Sequence, residues 1–169
     1  DFTSNGLTEA AKNQIDTITW KLGGTGNFYS TNTIQFYTYE RGTTVYTGRP
    51  TEWQGKVGLM YPSDYGYATS GGTGMNRASC LAKELYNRGS SASDCRTNDW
   101  LYNSSIYQWT LAPHSSYSNN VFEVDDTGHV NRDDASVRRA VRPSVYLISK
   151  TSILGGEGTR ENPYELSVQ

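Results

Sequence analysis

Histidine and cysteine are scarce in this chain, with two of each in 169 residues. The two imidazoles, His114 and His129, offer few bases, and neither stands beside a G-x-S-x-G elbow that would present a nucleophile. The adjacency of His114 and Ser115 reads as a loop coincidence rather than a catalytic dyad. No second Cys/His pair lies at ligand spacing from Cys80 and Cys95, which argues against a metal held by thiols. Gly71-Gly72-Thr73-Gly74 lacks the Lys and the flanking strand of a phosphate loop. No run of about 20 apolar residues is present, so no transmembrane helix is expected. The formal net charge is only -2, which leaves no basic field for nucleic acid or an anionic membrane. Beginning at Asp1 without a signal peptide, the chain reads as a mature or truncated form. Carboxylates are plentiful, but no apolar frame is visible that would push their pKa values apart for acid–base work. The expectation is a protein that is not an enzyme and carries no cofactor or metal.

Turn and aromatic residues are abundant instead. Glycine counts 17 and tyrosine 13, while apolar residues make up 35%. Tyrosine gives an amphipathic ring suited to contacts that stay soluble. The length fits one domain with a real core, 1–169, and neither a repeat nor a linker interrupts it. Cys80 and Cys95 flank a polar segment and read as a disulfide, which points to an oxidising, extracellular or cell-surface setting.

Leu7, Ala11, Ile15, Ile18 and Leu22 recur at helical spacing, predicting an N-terminal helix over 7–20 within 1–24. Thr8 would start it and Gly23-Gly24 would stop it. The β-branched and aromatic run 33–39 predicts a strand, and 41–50 reads as loop. Residues 53–60 predict a strand with a bulge at its glycines, 61–64 a turn and 65–74 an exposed loop. A second helix is expected over 77–86, followed by an irregular loop over 87–97. Later, 109–111 opens a strand, and 121–124 with 129–130 form a hairpin around Asp125-Asp126-Thr127-Gly128. Strands at 145–148 and 164–166 close the chain. The class is α+β.

Between the strand signals lies a polar, aromatic-bearing insert, the layout of a binding loop on a rigid scaffold. Residues 98–142 therefore form the expected ligand-binding loop region. Tyr102, Asn103, Tyr107, His114, Ser115, Ser116, Tyr117, Asn119, Asn120, Asn131 and Arg132 are its candidate contacts, a paratope-like composition. Arg138 and Arg139 are expected to pair with Asp125, Asp126, Asp133 or Asp134. Trp109 is expected in the core.

The pattern WTL-P-SS from Trp109, G-x-V from Gly128 and VRPxVYL from Val141 resembles a family of bacterial surface modules with a C-type-lectin-like fold. Companion segments are GKVGLMYPSDYGYA from Gly55 and GGEGTxxNPYEL from Gly155. The family is similar to retroelement-diversified variable proteins and to modules of Gram-positive type IV pilin-like proteins; the formylglycine-generating enzyme is a more distant cousin. The resemblance implies two helices packed on a small twisted, mainly antiparallel sheet with long irregular loops. It also implies first and last strands that pair, and an Arg142 that anchors the loop by hydrogen bonds. The function it implies is an extracellular binding module, a surface or pilus-tip adhesin for a protein or glycan ligand, with pilus or cell-surface assembly partners. The alternative is a structural pilin-like subunit whose N-terminal helix is truncated. Calcium is not expected, because Asn98-Asp99-Trp100 reverses the lectin signature Trp-Asn-Asp and no Glu-Pro-Asn occurs. The formylglycine chemistry needs reactive cysteines, and both cysteines here read as structural.

Overall fold

The computed structural model describes residues 6–88, 95–159 and 161–168. Helix α1 is Glu9–Gln14, started by Thr8, whose Oγ1 accepts the Ala11 N–H at 3.2 Å. The helical spacing had extended it to residue 20. Instead the chain turns extended at Ile15, and Ile18–Lys21 is strand β1. Ile15, Thr17, Ile18 and Thr19 are β-branched, and their stiff side chains favour the pleated surface over a helix. The part of the 1–24 expectation that falls on residues 1–5 lies outside the described residues.

Residues 33–39 fold as helix rather than strand. Helix α2, Thr33–Glu40, starts at a reciprocal capping box: Asn32 Oδ1 accepts the Gln35 N–H at 3.0 Å, and Gln35 Oε1 accepts the Asn32 N–H at 2.9 Å. Two otherwise orphaned donors are satisfied at once. Thr33, Phe36 and Glu40 form its buried face. Strands β2, Glu52–Gly55, and β3, Val57–Leu59, replace the single strand expected over 53–60. They part at Lys56, whose Nζ leaves to donate to the Lys12 and Ile15 carbonyls. The expected turn and the first residues of the loop after it become helix α3, Pro62–Tyr67, with Pro62 in the first turn and Asp64 accepting the Tyr61 N–H at 2.8 Å; 68–74 stay irregular. Tyr65, expected on an exposed loop, is fully buried. Helix α4 is Arg77–Ala82, and the expected second helix gives way to a 3-10 turn over Leu85–Asn87.

The remaining strands are β4 Gln108–Pro113, β5 Asn120–Val124, β6 Val130–Asp134, β7 Pro143–Val145, β8 Thr151–Gly155 and β9 Glu165–Val168. All described pairings between these strands are antiparallel: β1 with β2, β3 with β7, β4 with β5 with β6, and β8 with β9. The protein is thus α+β, with short helices and small antiparallel sheets. First and last strands do not pair with each other here; each forms a ladder with its own neighbour. The 145–148 strand begins earlier and stays near the surface, with Val145 41% exposed. Its neighbours Tyr146 and Ile148 instead bond to the N-terminal segment, at Asp16 and Gln14.

The core is aromatic. Phe122 on β5 meets Phe36 edge to face at 5.3 Å and Phe28 at 5.6 Å, and Val124, Val130, Tyr65 and Leu85 complete the packing. Fully burying such a side chain contributes roughly 1.5–3 kcal/mol. Trp20 also lies in this cluster, its indole N–H bonded to the Gly55 carbonyl at 2.9 Å. A Cβ at Gly58 would meet that indole at 2.8 Å, so the site requires glycine.

Charged groups are buried alongside these rings. Arg88 Nη1 donates to Asp99 Oδ2 at 3.2 Å and to the Tyr65 carbonyl at 3.1 Å, with both charged side chains fully buried. Burial pushes the Asp99 carboxyl up to about 6 against the pull of Arg88. Glu40 accepts from the Ser63 backbone N–H at 2.8 Å and from the Ser63 hydroxyl, tying α2 to α3. Its burial raises the carboxyl to about 7. Cys80 and Cys95 form a disulfide across 15 residues. Of the loop expected over 87–97, residues 89–94 lie outside the described residues.

Three outcomes follow. Replacing Asp99 with Asn should destabilise the fold by about 3–5 kcal/mol in urea titration, because Arg88 is left buried without its counter-charge. Glu40, with a folded value near 7 against 4.5 in the unfolded chain, holds its proton in the folded state between those limits. Its contribution is therefore complete below the lower limit and is lost as pH rises through the upper one. Urea midpoints at about pH 5 and about pH 8 should show Glu40→Gln removing a loss of about 3 kcal/mol seen in the native protein. An unchanged slope would contradict the assignment to Glu40. Reduction of Cys80–Cys95 should cost roughly 3 kcal/mol, read from melting with and without reductant.

Candidate functional site

The candidate contacts divide between the two ends of β4. Tyr107 precedes that strand and His114 follows it, a separation of about 20 Å at the rise of a β-strand. At the leading end, the Tyr102 hydroxyl donates to the Asp126 carbonyl at 2.9 Å. Asn103 Oδ1 caps a local turn by accepting the Ser105 N–H at 2.9 Å. Tyr107 lies under the Arg139 guanidinium, 4.4 Å from the ring centroid. The Asp126 charge holds its hydroxyl above the ordinary range.

The second group gathers at the far end. His114 is buried, 1% exposed, its ring 4.9 Å from Tyr117 and 5.6 Å from Phe122. Its Nδ1 accepts the Ser116 backbone N–H at 3.1 Å, so this imidazole shapes the loop. Burial, then the Arg132 charge, lowers its affinity for a proton. Ser115 bonds through its backbone N–H to Thr25 at 3.3 Å. Tyr117 is 47% exposed and lies beneath Arg132, whose guanidinium is 4.4 Å from the ring. Arg132 Nη1 also donates to Asn120 Oδ1 at 3.3 Å, and the Asn119 amide donates to the Asp134 carboxylate. Ser116, Tyr117, Asn119, Asn120 and Arg132 thus form one surface over a buried His114.

Asn131 departs from that surface. It pairs with Glu123, while Arg132 pairs with Phe122, and strand alternation puts neighbouring residues on opposite faces. Asn131 shares its face with Glu123 and Asp133. There Arg139 donates to Glu123 at 2.5 Å and to Asp133 at 2.6 Å. The expected Arg139–Asp133 pair is present, and Glu123 is the partner that composition alone did not suggest. Only the strand register brings it there.

The turn 125–129 holds a triad of types, Thr127, His129 and Asp125. Thr127 Oγ1 and Asp125 Oδ2 both approach the same nitrogen, His129 Nδ1, at 2.9 and 3.1 Å. A proton relay needs the two ring nitrogens facing different partners. Asp125 Oδ1 also accepts the backbone N–H groups of Thr127 and His129, both at 2.9 Å, and Gly128 supplies a φ of 86°. This is turn chemistry. Among the described residues no group of three or more His, Cys, Asp or Glu side chains converges to hold a metal ion.

Arg142 anchors its loop, with Nε donating to Gln108 Oε1 at 3.1 Å and Nη2 to the Leu101 carbonyl at 3.4 Å. Trp109 is half-buried. Among the described residues no helix is long and apolar enough to cross a membrane. No family model, curated protein or solved structure matches the chain.

Proposed function

We propose that the domain is an extracellular, non-enzymatic binding module of the C-type-lectin-like kind, a surface or pilus-tip adhesin that recognises a protein or a glycan. The observation that carries this reading is the Tyr117–Arg132 surface: an exposed tyrosine under a guanidinium, ringed by Ser116, Asn119 and Asn120. Tyr and Arg dominate binding energy at interfaces, and Ser and Asn supply adaptable hydrogen bonds around them. Asn120 and Arg132 stand on the β5–β6 ladder, and the connection that carries Ser116, Tyr117 and Asn119 is held by the buried His114, whose Nδ1 accepts the Ser116 N–H. A disulfide suits an oxidising compartment. The α+β class with small antiparallel sheets is the class this reading implies.

A glycan and protein array probed with the purified domain tests the reading. Against the ligand found, Tyr117→Ala should weaken binding by about 2 kcal/mol. Its stability should change by less than about 0.5 kcal/mol. Undiminished binding by a folded Tyr117→Ala protein would remove this surface as the paratope.

A further inference from the structure

A cleft of about 540 Å³ opens elsewhere, between α3, the segment around Trp100 and the start of β7. Trp100 forms part of its lining and is 74% exposed. An indole, apolar over its faces and polar at its N–H, suits contact with a partner that is itself partly polar. Among the described residues its indole N–H has no hydrogen-bond partner and its ring no aromatic neighbour. The backbone beneath it is firmly held. Asp99 Oδ1 accepts the Leu101 N–H at 3.0 Å, Asp99 itself is fixed by Arg88, and the Tyr102 N–H bonds the Asp99 carbonyl at 3.1 Å. The ring is therefore presented from a rigid base.

The rest of the lining narrows the chemistry of the ligand. Tyr67 adds a second partly exposed ring, edge-on to Tyr37 at 6.3 Å. Asp64 spends Oδ2 on the Tyr61 N–H, and Arg142 spends Nε and Nη2 on Gln108 and Leu101. Asp64 Oδ1, Arg142 Nη1 and the Ser144 hydroxyl have no hydrogen bond among the described residues. An anion would meet Asp64, and a cation would meet Arg142. A neutral polyol suffers neither conflict: its hydroxyls can donate to a carboxylate and accept from a guanidinium. The C–H face of a sugar ring is weakly positive and matches the negative face of an indole. The volume lies in the range of small-molecule sites.

We propose that this cleft binds a short neutral oligosaccharide without a metal. Trp100 stacks on one sugar ring, and Asp64, Arg142 and Ser144 bond its hydroxyls. Asp64 is the one carboxylate in the lining, whereas calcium takes six to eight oxygens. The cleft shares no residue with the Tyr117–Arg132 surface, so the two assignments stand or fall separately.

Titration calorimetry of the intact domain with chitotriose, cellotriose, maltotriose and mannotriose, each with and without EDTA, tests the assignment. At least one should bind with a dissociation constant of about 1 mM or tighter, unaffected by EDTA. Trp100→Ala should weaken it about tenfold or more with an unchanged melting temperature, and Asp64→Asn should weaken it several-fold. Tyr117→Ala should leave it intact. Absence of binding by all four sugars would overturn the proposal, as would loss in EDTA or full affinity in a folded Trp100→Ala protein. Loss on Tyr117→Ala alone would move sugar recognition to the other surface and overturn it equally.

Discussion

The buried Arg88–Asp99 pair ties together the least regular part of this fold. One guanidinium nitrogen reaches both Asp99 and the Tyr65 carbonyl in α3, and the other Asp99 oxygen takes the Leu101 N–H. Three segments distant in sequence converge on that point, and none of them pairs with another in an extended ladder. The disulfide closes on the same region, with the Thr69 hydroxyl donating to the Cys95 carbonyl at 2.8 Å. Taking two charges out of water opposes folding, and the Coulombic attraction offsets that cost only with good geometry and further hydrogen bonds. Here the Tyr65 carbonyl and the Leu101 N–H provide two of those bonds, while Arg88 Nε and Nη2 are buried without a hydrogen-bond partner among the described residues. A hydrophobic pair of equal volume could match the stability, but it could not orient the Leu101 and Tyr65 backbone groups.

Where local signals were self-contained, the sequence was legible. The Asp125-Asp126-Thr127-Gly128 hairpin, the Thr8 start of α1, the disulfide and the closing strand near Tyr164 all appear where residue types placed them. Two competing principles decided the misplaced elements. In α2, β-branched and aromatic residues suggested a strand, yet Asn32 and Gln35 satisfy the first turn and Phe36 faces the core. Strand propensity largely reflects packing on a pleated surface, and here a helix provides the packing. In α1, helical spacing ran through Ile15 and Ile18, where β-branching and pairing with β2 won. Apolar spacing records which side chains are buried, not which backbone buries them.

The candidate site was legible as composition but not as geometry. Residues 114–120 read as a polar insert, and Ser116, Tyr117, Asn119 and Asn120 of it gather with Arg132 above the buried His114. That Tyr102 and Tyr107 sit at the opposite end of β4 depends on strand length and register, which composition does not encode. Likewise, Glu123 meets Arg139 because Glu123 and Asp133 share a sheet face. The Trp100 cleft was the least legible feature. Its walls come from α3, a turn and β7, three segments that only the fold brings together.

The two surfaces differ in how their aromatic rings are held, and that difference bears on recognition. Tyr117 is already engaged by Arg132 and leans on His114, so a ligand must share or displace an existing contact. Its conformational cost is partly met before binding, which favours a fixed, shape-matched partner. Trp100 has a fixed backbone and a ring with no partner among the described residues. A ligand there would have only the few side-chain torsions of one residue to order, and it would remove from water a largely exposed apolar face. The buried charge pair thus has a role beyond stability. By holding Asp99, it fixes the backbone from which the neighbouring indole projects.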